Sequence, residues 1–279
     1  MKRVLVILGC AAMLHSCSRW VLEDRLECPS FLFFEISNPE RFQPYETVYT
    51  TVFSHPEGSL IAADSPTLEV IQDKVFYAEV RQTGAVKGYG ILGGSRAALQ
   101  KGDQWLIPVG HQADTLYRFS YVTAVEPASS QTIPVELVKE HAKVTVQFVG
   151  MESFLGSGGQ FPFDLVVRGN SCGMDAVTGV PVRGAFEYRP VQTGDGRFCF
   201  CLPRQADRNL LLELYGKAHV YAQEGFVASY DLYSILLSIG GITWREKNLP
   251  DIYIEIDYQE TTVSVLATPW EEELLSFNQ

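Results

Sequence analysis

The sequence predicts an all-β protein of the sandwich class. Three observations carry that expectation. Apolar and polar residues alternate over short stretches, as in "HAKVTVQFVG" and "DIYIEIDY". Turn signals built from Pro and Gly separate those stretches, as in "SHPEGS". Only one segment has a convincing helical period. Alternation places successive side chains on opposite faces of a strand, and many such strands punctuated by turns suggest packed sheets.

The chain opens with a segment that belongs outside the fold. Lys2 and Arg3 precede an apolar run of eleven residues, Val4 to Leu14. A bilayer span needs about 20 apolar residues, so this run fits the apolar core of a secretory signal peptide instead. Leu14-His15-Ser16-Cys17 follows and has the form of a bacterial lipobox. An aliphatic residue stands three places before the cysteine, and a small one directly precedes it where the signal peptidase must fit the scissile bond. Cys17 is therefore the candidate lipidation site, with residues 1–16 removed as a lipoprotein signal peptide. The rival Ile7-Leu8-Gly9-Cys10 would leave too short an apolar run for export. The thiol would take a diacylglycerol and the new amino terminus an N-acyl chain such as palmitate. Several chains at about 0.8 kcal/mol per buried CH₂ make a stable anchor where one does not.

The whole chain has a net charge of −11, and losing Lys2 and Arg3 makes it −13. That charge argues against nucleic-acid partners and against electrostatic docking on anionic lipid. The apolar fraction of 46% excludes wholesale disorder. The mature length suffices for two domains.

The strands are expected in order. "FLFFEISN" (31–38) follows Cys28-Pro29, then "ETVYTTVF" (46–53), "KVFYAEV" (74–80), "GYGIL" (88–92) and "TLYRFSYVTAV" (115–125). "EPASSQTIPVE" reads as a linker or a long crossing loop. It divides a domain at 17–135 from one at 136–279. The second domain starts with "HAKVTVQFVG", where Val144, Val146 and Phe148 share a face. "FPFDLVVRG", "RFCFCL" and "LLLELYGK" continue the pattern. "YDLYSILLSIGG" (230–241) is the one expected helix, with Leu232, Ile235, Leu236 and Ile239 at helical spacing and Gly240-Gly241 as its stop. "DIYIEIDY" and "TTVSVLAT" form a closing hairpin before Pro269-Trp270.

Catalytic and metal-binding motifs are missing. The histidines His55, His111, His141 and His219 form no metal-ligand pair, and no serine lies in a nucleophile-elbow sequence. "GYGILG" (88–93) satisfies GxGxxG, but it lacks the strand-to-helix setting that a pyrophosphate site requires, so it reads as a glycine-rich strand. The expectation is no enzyme, no catalytic residue, no metal and no cofactor beyond the acyl chains on Cys17. Cys199 and Cys201 share a strand face, and either could pair with Cys172 in an oxidising compartment. The cysteines are equally well accounted for as small buried apolar side chains.

The order of these features resembles the fimbrillin-associated anchor lipoproteins of Bacteroidales fimbriae. The resemblance is carried by Cys17 with "WVLEDRLECPSFLFFEI", by "ELVKEHAKVTVQFVG" in mid-chain, and by "NLPDIYIEIDYQETTVSVLATPW" at the end. It covers nearly the whole mature chain. It implies two transthyretin-like β-sandwich domains and a lipid anchor in the outer membrane, on the cell surface. It also implies a fimbrial shaft subunit as partner, joined by strand addition, and a role in attaching the filament and limiting its length. Shaft subunits of such fimbriae are cleaved after an arginine. Arg25 is accordingly a candidate protease-sensitive point in the tether, although a solvated side chain is the plainer reading. A tip or accessory fimbrial subunit, or a glycan-binding surface lipoprotein, would share the same sequence features.

Overall fold

The computed structural model describes residues 28, 30–37, 50–54, 69–71, 75–80, 84–93, 99–156, 159–218, 220 and 224–269. These residues form an all-β, sandwich-class protein with nineteen strands and one short helix. The chain divides into two compact units. One contains residues 1–36, 51–88 and 121–135, and the other contains 37–50, 89–120 and 136–279.

In the first unit, β1 (Ser30–Ile36) alternates as expected. Leu32, Phe34 and Ile36 are buried, while Glu35 between them is exposed. β1 is flanked by antiparallel β4 (Val75–Val80) and parallel β9 (Ser130–Val135). β3 (Glu69–Ile71) completes that sheet beyond β4. The segment expected as a crossing loop is thus partly a strand. Its polar composition suits an edge: β9 ends its sheet among the described residues, and Pro134, which has no N–H to donate, is tolerated there.

A second four-stranded sheet has the order β10-β8-β5-β2. Its strands are β2 (Thr50–Ser54), β5 (Gly84–Gly93), β8 (Leu116–Val125) and β10 (Val138–Lys139). The glycine-rich motif lies inside β5, as a strand and not a phosphate loop. A Cβ on Gly88 would sit 2.4 Å from the Tyr121 ring, and one on Gly90 would sit 2.1 Å from the Phe119 ring. Glycine fits there because the outer ends of two buried aromatic rings of β8 fill the space a side chain would take.

The second unit holds the larger core. β11 (His141–Val149) lies between antiparallel β15 (Arg197–Pro203) and parallel β18 (Asp251–Asp257). β14 (Gln192–Gly194) and β19 (Thr262–Thr268) complete the sheet. The same arrangement, an opening strand between one antiparallel and one parallel neighbour, therefore occurs around β1 and around β11. No sequence repeat announces it.

The facing sheet runs β17-β16-β12-β7-β6, with β13 also paired to β12. Its strands are β6 (Leu99–Lys101), β7 (Gln104–Leu106), β12 (Phe163–Asp175), β13 (Pro181–Tyr188), β16 (Leu210–Gly216) and β17 (Gly225–Asp231). Val144, Val146 and Phe148 meet Phe163, Leu165 and Leu212 in one core, with Ile252, Ile254 and Ile256 beside them. Each such side chain is worth roughly 1.5–3 kcal/mol on full burial. Phe161 sits 5.3 Å from both Phe148 and Phe198, ring to ring.

The helix α1 is shorter than its sequence pattern, spanning Leu232–Ser238. Strand β17 runs through Tyr230 and Asp231, and Asp231 caps the helix by accepting from Ser234 N–H at 3.0 Å. Leu232 and Leu236 are buried, but Ile239 is exposed, so its apolar character contributed to the period without packing.

Candidate functional site

A cleft of about 680 Å³ opens on the second unit. Its floor is Glu140, at the junction of β10 and β11, with a side chain 2% exposed. Arg118 of β8 donates Nε–H to Glu140 Oε1 at 2.9 Å, and Arg204, just past β15, donates Nε–H to Oε2 at 3.1 Å. A buried carboxylate needs such compensation, and here each oxygen has its own guanidinium. Arg204 goes further. It donates to the carbonyl oxygens of Trp244, Glu246 and Lys247 at 2.9, 2.8 and 3.2 Å, which fixes the loop before β18 as one wall.

The opposite wall is the turn from β12 to β13. Asp175 Oδ1 accepts from Thr178 N–H at 2.8 Å and from its hydroxyl at 2.7 Å. Gly179 at φ +73° follows, a conformation a side chain would strain, and a Cβ there would meet Arg118 Nη2 at 2.6 Å. The turn leads to Val180 and then to Arg183 on β13, both exposed.

The electrostatics are opposite to those of the chain. Arg118, Arg183, Arg204, Arg245 and Lys247 line the cleft against Glu140 and Glu246. Among the described residues, five cations stand against these two carboxylates and the Glu136 carboxylate that pairs with Lys247, an excess of two positive charges on a protein of net charge −11. Lys247 is paired with Glu136. Among the described residues, the guanidinium groups of Arg183 and Arg245 have no hydrogen-bond or ion-pair partner. Burial pushes the Glu246 carboxyl up, but hydrogen bonds from the Thr243 hydroxyl and N–H and the nearby Arg204 charge outweigh it, so it lies below the usual carboxylate range.

Beside the cleft, Lys139 is buried and paired with Asp251. His141 is fully enclosed, with Nδ1 3.1 Å from the Leu116 carbonyl. Burial, helped by the Lys139 charge, lowers its pKa to about 4.

The residues singled out from sequence lie elsewhere. Cys17 and Arg25 fall outside the described residues. Cys172, Cys199 and Cys201 are free thiols in the structure. Cys172 is on β12 and points toward the Val182 carbonyl at 3.7 Å. Cys199 and Cys201 are on β15, in the other sheet, on the face opposite Phe198 and Phe200. Cys199 meets the hydroxyl of Thr145 at 3.6 Å, and burial raises the Cys201 thiol to about 12. No group of three or more metal-ligating side chains occurs among the described residues. None of their helices is long and apolar enough to cross a membrane. Trp105 and Trp244 are buried at 5% and 3% exposure. Trp20 and Trp270 lie outside the described residues.

Sequence reasoning missed the cleft because its charges come from segments far apart in the chain. The only local signal was "ELVKEHAKV", where Lys139, Glu140 and His141 interrupt an apolar run just as a strand begins. All three are buried.

No protein-family profile matches the chain, and no curated protein matches it in sequence. Solved structures do resemble it. A candidate adhesin from Bacteroides ovatus superposes with a TM-score of 0.58 at 14% identity, over 82% of this chain and 88% of its own. A candidate polysaccharide-binding protein from Bacteroides thetaiotaomicron does so at 0.57 and 13%, over 88% and 97%. The fimbrial anchor protein Mfa2 from Porphyromonas gingivalis does so at 0.54 and 15%, over 85% and 95%. At these identities the likeness is one of fold.

Proposed function

We propose that this chain is a lipid-anchored, non-enzymatic fimbrial subunit that attaches a filament to the outer membrane and limits its growth. The observation that carries this reading is the pairing of a lipobox at Cys17 with a fold like that of a fimbrial anchor protein, over 85% of the chain and 95% of the anchor. The diacylglycerol and N-acyl chains on Cys17 hold the protein to outer-membrane lipid, at the cell surface. Residues 17–135 and 136–279 supply its two sandwich domains, with β6 and β7 of the first segment paired into the sheet of the second. The shaft subunit is its protein partner.

Strand addition is the physical means of joining. β9 and β19 each end a sheet among the described residues. An edge strand presents unpaired backbone N–H and C=O groups on which a neighbour's strand can register. Arg25 is left uncut in this reading, because cleavage there would separate the fold from its lipid.

Two alternatives make different demands. A tip or accessory subunit would not hold filaments to the cell. A glycan-binding lipoprotein would present an aromatic platform, and the burial of Trp105 and Trp244 weighs against one built from them.

The test is a Cys17→Ala strain. Filaments shed into the medium, with this protein bound to them, are the expected result. Filaments that stay on the cell contradict the anchor role.

A further inference from the structure

We propose that the basic cleft of the second unit binds an acidic peptide segment, with its carboxylates on Arg183 and Arg245. Four observations carry this. The cleft concentrates positive charge on an acidic protein, so an anionic ligand drawn to this molecule has a local reason to be there. Arg118 and Arg204 are committed to Glu140 and to carbonyl oxygens, whereas the guanidinium groups of Arg183 and Arg245 have no partner among the described residues. A guanidinium presents a planar fork of donors that matches a carboxylate in two parallel hydrogen bonds.

The wall that carries Arg245 is also held at a cost. Trp244 has a φ of +62°, which is strained for a bulky residue. Its indole N–H and Glu246 Oε2 are buried without a hydrogen-bond partner among the described residues. Arg204 ties down the same loop by donating to three of its carbonyl oxygens. Strain of this kind clusters where a loop must present a side chain in one place.

The lining selects peptide over sugar. Among the described residues, Trp244 is the one aromatic residue lining the cleft, and at 3% exposure it offers no face for a sugar ring. Val138, Val180, Pro181 and Ala206 supply apolar wall instead, with Val180 58% exposed at the rim. Aliphatic side chains beside acidic ones would find contacts on both counts.

The experiment measures fluorescence anisotropy of labelled hexaglutamate with the full-length purified protein. Hexaglutamine and a heparin-derived hexasaccharide serve as comparison probes. The expected result is saturable hexaglutamate binding that weakens as salt rises and at least tenfold on Arg183→Glu with Arg245→Glu, with no binding of hexaglutamine. The hexasaccharide should bind at least tenfold more weakly than the peptide. Absence of saturable binding, or binding unchanged by the double variant, overturns the site. Hexasaccharide binding as tight as the peptide's overturns the ligand class. Thermal melting checks that the variant is folded, and Arg183→Gln with Arg245→Gln carries the same test if charge reversal disturbs the fold.

Discussion

The ring of Phe119 occupies the space that a side chain on Gly90 would need, with Cζ 2.1 Å from the position of an added Cβ. Phe119 is 1% exposed and cannot swing into solvent. Gly90→Ala should therefore destabilise the protein by about 1–3 kcal/mol, the usual cost of forcing extra volume into a packed core. Ordinary strand glycines go the other way and gain from Ala. Adding Phe119→Leu should recover part of the loss, because the two positions share one space. Urea midpoints of the two single variants and the double variant measure this. Strict additivity would contradict the contact.

Glu140 neutralises two arginines at once. Glu140→Gln leaves Arg118 and Arg204 facing an uncharged amide in a buried place. Breaking a buried pair in this way costs about 3–5 kcal/mol. The same change should loosen the Trp244–Lys247 loop, which Arg204 holds. Intrinsic Trp fluorescence of the folded variant and its denaturation midpoint report the two effects.

His141 predicts a pH dependence. Above about pH 6.5 its imidazole is neutral in the folded and the unfolded chain. Burial lowers the folded value to about 4. Between those limits the unfolded chain takes up a proton that the folded chain refuses, so stability falls as pH falls. The loss accumulates at up to about 1.4 kcal/mol per pH unit. His141→Gln should remove that dependence while the Gln amide can still donate to the Leu116 carbonyl. The readout is the difference between wild-type and variant urea midpoints at pH 7, 6 and 5. Parallel curves would contradict the buried neutral imidazole.

Asp231 ends β17 and caps α1 in one residue. Asp231→Ala should cost about 1 kcal/mol, as loss of an N-cap does. Asp231→Ser should retain most of the stability. Hydrogen exchange at Ser234 N–H, which donates to Asp231 Oδ1, should accelerate in the Ala variant.

The parts of the fold legible in the sequence are those where one face of a strand is buried and the other is not. β1, β11 and β18 alternate cleanly for that reason. β9 was not legible, because an edge strand with Pro134 and a polar face has a loop's composition. β13 was missed too: Pro181, Gly184 and exposed residues break its pattern. The helix was overextended by Ile239, which has the right spacing but faces solvent. The cleft was the least legible part. Arg118, Glu140, Arg183, Arg204 and Arg245 share no motif; the sheet pairings and the hold of Arg204 on the loop that carries Arg245 bring them together.

The proposed anchor depends on lipid at Cys17. Intact mass of the protein purified from membranes, beside a Cys17→Ala variant, reads that lipid out. A lipid anchor gives a chain beginning at Cys17 with the added mass of a diacylglycerol and an N-acyl chain, absent in the variant. A lipid-free chain beginning elsewhere, or one cut after Arg25, would contradict it.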